Sequence, residues 1–441
     1  LVFHGEGWSH ALSEGIFEID ARRGRPAASS GDNLRGHLAP APNADELGHG
    51  VFRQHGEFAH IASAGNILLL RHFPRKFPAI FINQSERVTI ESVAIEHAAG
   101  TAILAQFSRD LRLRGIAVGP RRDSARCFGS TADAMHFVNC AGDVAIDGCS
   151  ARLQLDDAVN VHGIHYAVER APGPRELIMR LGHFQQAGQR VGEPGDQLLI
   201  RDAVSLSPAA RAEIRRLEQI DESHWKVELA GRVEPPPSAV AENLSLTPDV
   251  TISDCDFRDN RARGILVTTP GRVRIRNCRV APAGAAIKIS GDANYWFESG
   301  AVRDVVIEDN ILGECCYGPK PWGRSPIDID PQIHDPWRAP EPYHRGIVIR
   351  RNLFRVFDNG LLYARSVAGI EFRDNRIEAS GAYPAARRMQ ARLTFDACSG
   401  IQSEVNQIDP ALPGAPWREV NDQPNDRHVV QYQRHLEEPG A

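Results

Sequence analysis

The 441-residue chain predicts an all-β fold, a right-handed parallel β-helix interrupted by an antiparallel, barrel-like insertion. Three observations carry that expectation. Turn formers are abundant, with 38 Gly and 29 Pro, which disfavours a helical bundle and suits many short strands. An eight-residue grammar of alternating Val/Ile recurs at short intervals. One long gap in that grammar holds alternating stretches of a different kind.

The grammar begins at Val88, Leu111, Val144, Val250, Val273, Val305, Ile347 and Ile370. The first, third and eighth residues of each unit are apolar in all eight. Successive starts lie 23, 33, 106, 23, 32, 42 and 23 residues apart. A step of about 23, alone or lengthened by an insertion, is one coil of a solenoid. Leucine-rich repeats are the competing solenoid, but they require fixed Leu positions and a helix in each repeat. Here β-branched residues dominate, as buried parallel strands prefer. The sixth position reads Val, Ile, Cys, Cys, Cys, Asn, Asn, Asn. Asn310, Asn352 and Asn375 are expected to stack as an amide ladder, and Cys149, Cys255 and Cys278 to fill the same slot as buried, reduced core.

The expected organisation follows in chain order. Residues 1–80 form a β-rich N-terminal segment and cap, and 81–165 the first part of the β-helix. Residues 166–247 form the insertion, with strands expected at Glu176–Leu181, Asp196–Arg201 and His224–Leu229 and one helix-like turn at Pro208–Leu217. Residues 248–385 resume the β-helix, and 386–441 are a C-terminal cap and tail.

Composition narrows the function classes. Hydrophobic residues are 42% and charged residues 24%, with net charge −5. No basic excess points to nucleic acid or an anionic membrane, and no run of about 18 apolar residues would span a bilayer. Eight Cys are too sparse for a disulfide scaffold. No zinc spacing, P-loop or dinucleotide motif appears, so no metal or cofactor is expected. Asn83-Gln-Ser and Asn243-Leu-Ser are formal glycosylation sequons.

The densest polar cluster is Asp156-Asp157-Ala-Val-Asn160-Val-His162-Gly163. Ideal strand parity puts Leu153, Leu155, Val159 and Val161 inward and Asp156, Asn160 and His162 outward. Asp157 falls on the inward parity, where an unpaired carboxylate cannot stay, so a bend at Asp157-Ala158 should swing it out. Asp133 precedes Asp156 by 23 residues, one rung or about 4.8 Å away. Three carboxylates on one face should split their pKa values, as a general acid and a general base require. Downstream, Arg263, Lys288, Asp292, Trp296 and Glu298 supply groups suited to a sugar, whose apolar face stacks on an indole and whose hydroxyls take hydrogen bonds.

The runs Ser130–Cys140, Asp156–Gly163 and Gly291–Gly300 resemble those of glycoside hydrolase family 110, with weaker support from 97–106, 261–264 and 359–363. The resemblance covers roughly residues 50–385. It implies a β-helix with β-barrel additions and a metal-independent, inverting α-1,3-galactosidase acting on blood-group B and linear α-1,3-galactose ends. It also implies that Asp156 is the general acid, with Asp133 and Asp157 positioning and deprotonating water. Such bacterial enzymes carry signal peptides, which implies a periplasmic or secreted setting. The expected partner is an oligosaccharide or glycoconjugate with terminal α-galactose, and a homodimer is compatible with the reading. Two rivals remain. A polygalacturonase-like β-helix also pairs a lone Asp with an Asp-Asp, and His162-Gly163 and Ile287-Lys288 echo it. A non-catalytic tailspike-like or adhesin β-helix would bind glycans without cleaving them.

Overall fold

A computed structural model describes residues 2–5, 8–11, 16–28, 44–48, 51–54, 62–71, 75, 77–121, 123–124, 126–412 and 421–422. Three long sheets run side by side along one axis, and each coil contributes one strand to each. Sheet I has nine strands, from Glu86–Glu91 to Ser399–Glu404. Sheet II has nine shorter strands, from Ala94–Ile95 to Gln407–Ile408. Sheet III has eleven, from Ile80–Asn83 to Asn421–Asp422, with Glu298–Ser299 pairing antiparallel off the main run.

The repeated grammar is sheet I followed by the corner into sheet II. Val144, Val250, Val273, Val305, Ile347 and Ile370 stand in one register column, and all are buried. The fifth position of every unit has left-handed backbone: Ser92, Gly115, Gly148, Asp254, Asn277, Asp309, Arg351 and Asp374 all have φ between 53° and 58° or at 60°. That one conformation turns the chain in each coil, and Gly and Asn/Asp adopt it at least cost. The sixth position then points inward. Asn310 Nδ2 donates to Asn352 Oδ1 at 3.0 Å, Asn352 to Asn375 at 3.1 Å, and Asn375 to Asn406 at 3.1 Å. Cys278 N–H donates to Asn310 Oδ1, and the buried thiols of Cys255 and Cys149 continue the column.

Asn406 belongs to a further coil with strands Leu393–Asp396, Ser399–Glu404 and Gln407–Ile408. The solenoid therefore continues into residues expected to be cap and tail; only 413–420 and 423–441 of that stretch lie outside the described residues.

Between two coils, six antiparallel strands from Tyr166–Gly173 to Ala239–Asn243 close into a barrel around Leu177, Met179, Leu198, Ile214 and Val227. Pro208–Gln219, expected to hold a helical turn, is instead its longest strand. It pairs with Gln197–Asp202 on one side and His224–Leu229 on the other. Two sets of ladder hydrogen bonds override the weak local preference of an Ala/Arg/Glu-rich segment.

Candidate functional site

The site lies on the outer face of sheet III and on the corners that feed it. Here the register differs from expectation. Met135 pairs with Val159 and Val159 with Ile265, so Asp133 stacks on Asp157, 24 residues later, and Asp157 on Arg263. Asp156, 23 residues after Asp133, is not its rung partner. The column is bonded directly: Asp157 N–H donates to Asp133 Oδ1 at 3.1 Å, and Arg263 N–H donates to Asp157 Oδ1 at 2.7 Å. Arg263 Nη2 also lies 2.9 Å from Asp157 Oδ2.

A bend at residues 155–158 aims the pair. It is prepared at Leu153, whose left-handed φ of 61° breaks the parity. Leu153 is therefore only half-buried and Gln154 points in, bonding the carbonyls of Val118 and Arg152. Leu155, Val159 and Val161 are inward as expected. Ala134 and Ala158, both fully buried, leave room for the corners to stack.

One oxygen from each of Asp133, Asp156 and Asp157 falls within a 4.8 Å set, and these three residues could hold a cation. Arginines already engage two of them: Arg75 bonds Asp156, and Arg263 bonds Asp157. Of the three, Asp156 is the most accessible, with 15% of its side chain exposed against 8% for Asp133 and 1% for Asp157. Burial pushes Asp157 well above the usual carboxylate range; Arg263 opposes that shift, and the charges of Asp156 and Asp133 reinforce it. Burial also tends to raise Asp133, but the His136 hydrogen bond and charge, with Arg75 and Arg263, hold it below. The carboxylates keep Arg263 charged despite its burial.

Glu298 enters from a loop over the site. Its Oε1 lies 3.4 Å from Asn160 Nδ2 and 3.6 Å from His162 Nε2. The loop docks through the bridge Gly163↔Ser299, where a Cβ on Gly163 would stand 2.5 Å from Ser299 Oγ. Asp292 holds the loop together: its carboxylate accepts the N–H groups of Asn294, Tyr295, Trp296 and Phe297 at 2.9–3.1 Å. Its part in the site is thus to shape the loop that presents Glu298. Trp296 is at the rim, 37% exposed, its ring 4.6 Å from His183 of the barrel. Asn160 and His162 are almost fully covered. Lys288 stands two rungs beyond Asn160 in the column Asn160–Leu266–Lys288–Asp328, and its Nζ bonds Asp328 at 2.7 Å.

Four participants escape a sequence reading. Arg75 comes from the N-terminal segment, 81 residues from its partner. Asp328 lies on a strand without the repeated grammar. Tyr363, next in that column, stacks under the Arg324 guanidinium at 4.0 Å. His136 sits three residues after Asp133, a spacing that could have flagged it; its Nδ1 lies 2.9 Å from Asp133 Oδ2.

Known proteins are similar to this chain in sequence. The family profile described as GLAA-B beta-barrel domain II matches residues 176–241, within the barrel. Alpha-1,3-galactosidase B of Bacteroides thetaiotaomicron is 31% identical over 421 residues, covering 94% of this chain and 68% of that protein. The chain belongs to the bacterial α-1,3-galactosidase family. Alpha-1,3-galactosidase A of Bacteroides fragilis is 34% identical over 394 residues, 87% of this chain and 63% of that protein. The chain thus spans about two thirds of the length of these relatives. The gp61 tailspike of Pseudomonas phage phi297 aligns at 11% identity over 70% of this chain and 55% of its own, with a TM-score of 0.24.

Proposed function

We propose that the chain is a glycoside hydrolase of the family 110 type that releases terminal α-1,3-linked galactose from glycans by an inverting acid/base reaction. The observation that carries the reading is the carboxylate trio, in which each member has a basic partner and Asp156 is more accessible than the other two. Hydrolysis passes through an oxocarbenium-like transition state, with one carboxylic acid protonating the leaving oxygen and a carboxylate activating water. Asp156, the most accessible of the trio, is assigned as the acid. Asp133 and Asp157, joined through the Asp157 N–H, are assigned to position and deprotonate water. Asn160, Glu298 and Trp296 are assigned as the polar groups and the stacking face for the galactose, and Lys288, two rungs along the same column, is assigned to a following sugar.

Charge favours this over a uronate hydrolase. Asp133, Asp156, Asp157, Glu298 and Asp328 outnumber Arg75, Arg263 and Lys288, and each of these cations is already paired with a carboxylate. A neutral sugar fits such a surface better than an anionic one. The nearest carboxylate oxygens are closer than the about 6.5–9.5 Å carboxyl separation of inverting enzymes. Inversion is therefore proposed from the motif resemblance. Proton NMR of the protein with an α-1,3-galactobiose and a blood-group B trisaccharide tests all of this. The expected result is free galactose appearing first as the β anomer. First-formed α-galactose refutes inversion, and release of no monosaccharide refutes the hydrolase.

A further inference from the structure

Behind the carboxylate trio, an unbroken line of hydrogen bonds crosses two imidazoles. His162 Nδ1 lies 2.7 Å from the carbonyl oxygen of Gly163. A carbonyl can only accept, so His162 Nδ1 carries a proton. His162 Nε2 and His136 Nε2 are 2.7 Å apart, so one donates to the other and a proton lies between them. His136 Nδ1 lies 2.9 Å from Asp133 Oδ2. If Asp133 is a carboxylate, His136 Nδ1 must also be protonated. Three protons then occupy the four ring nitrogens, whereas two neutral imidazoles hold two. The alternative is a neutral pair facing a protonated Asp133.

The surroundings select the charged arrangement. Among the described residues, Asp133 on the corner before His136, Asp156 on the next coil and Glu298 on the covering loop act on the rings, while Arg75 from the N-terminal segment and Arg263 one coil on act on Asp133, and Asp157 is paired with Arg263. The three carboxylates Asp133, Asp156 and Glu298 favour a cation on His136. Burial disfavours charge on both histidines. For His136 the Asp133 hydrogen bond and charge, with Glu298 and Asp156, outweigh it and raise the imidazole above its ordinary range. For His162 burial dominates, and the ring falls below its ordinary range.

We infer that His136 and His162 form a proton-sharing imidazole pair carrying one positive charge, and that His136 is the positioning residue that keeps Asp133 a carboxylate facing the reaction site. The pair forms because His136 registers with Asn160, which sets His162 on the neighbouring strand diagonally across from it. Its kinetic consequence rests on the hydrolytic reading above. With the imidazolium in place, Asp133 stays ionised to lower pH, and activity is lost only as pH falls through its depressed value. Removing the charge raises Asp133 and moves the acidic limb to higher pH.

Two measurements test the inference. In nitrogen-15 spectra of the folded protein, the two rings are expected to show three protonated nitrogens at pH 7. Two one-proton rings would overturn the inference, whether or not the protein cleaves galactosides. For kinetics, His136→Asn keeps an N–H toward Asp133 but carries no charge and cannot reach His162. It is expected to shift the acidic limb of kcat up by about one pH unit, so that kcat falls by up to about 10-fold at the acidic end of that limb and little at neutral pH, and to leave KM within about three-fold. His136→Phe, lacking the N–H as well, should lose more activity. An unmoved acidic limb, or an effect confined to KM, overturns the positioning role. An inactive wild type with the three-proton spectrum refutes the hydrolase and leaves the shared charge standing.

Discussion

Two stacks of polar side chains run along the same solenoid and are built on opposite principles. In the ladder of Asn310, Asn352, Asn375 and Asn406, each of the first three amides donates to the next amide's oxygen and to a backbone carbonyl such as that of Ile275 or Ile307, and Asn406 ends the row on the carbonyls of Phe372 and Glu404. The stack is neutral and self-complementary, so it extends by repetition. The column Asp133–Asp157–Arg263 cannot repeat. Two stacked carboxylates repel, and burial stops water from relieving the strain. It is closed by different partners at each rung, His136 for Asp133 and Arg263 for Asp157. The ladder holds coils together. In the charged column burial, reinforced by the neighbouring carboxylates, shifts Asp157 up, while His136 and the arginines hold Asp133 down.

That contrast can be broken from either side. The largest effect is expected at the accessible carboxylate. Asp156→Asn should lower kcat by about 1,000-fold or more while circular dichroism and melting temperature stay near wild type, since a partly exposed side chain carries little of the fold. Near-normal turnover in the folded variant would remove Asp156 as the acid.

Arg263→Met should hurt stability more than any ladder substitution, by about 3–5 kcal/mol in urea unfolding at pH 7, because it strands the buried Asp157 carboxylate. The loss depends on pH. A carboxyl raised in the folded state binds its proton more tightly there than in the unfolded chain. Its protonated form therefore supports the fold at low pH, and that support fades as pH rises. The Arg263→Met defect should shrink toward pH 4 and grow toward neutrality. A defect independent of pH would mean that Asp157 is not the stranded group.

Asn352→Ala is the smallest of the three. It removes the acceptor for the Asn310 side chain and backbone and the donor to Ile307, costing about 2–3 kcal/mol. Galactose release measured well below the melting temperature should be unchanged. A fall in kcat there would show that the two stacks are coupled.

Legibility in the sequence follows the same division. Sheets I and II could be read because the coils repeat one solution: apolar residues at fixed places, a left-handed fifth residue, and an inward Val, Ile, Cys or Asn next. Sheet III was not in that grammar. Its outward positions in register are His136, Asn160, Leu266, Lys288, Asp328 and Tyr363, which share no residue type. Repetition marks what stacks identically, and a site is where stacking must differ. The barrel strand Pro208–Gln219 was missed for a related reason, since its conformation is imposed by its two neighbours.

The sequence alone determined the solenoid, the place where it is interrupted, and the presence of Asp133, Asp156 and Asp157 within one coil of each other. These rest on local rules of period, turn conformation and spacing. Only the tertiary structure decided that Asp133 lies under Asp157 rather than Asp156, that Arg75 reaches the site across 81 residues, and that His136 and His162 meet. A one-residue difference between the 23-residue repeat step and the 24-residue register at this corner is enough to exchange one carboxylate for its neighbour. The bend at residues 155–158 sets that offset, and it is stabilised by contacts with coils and loops distant in the chain.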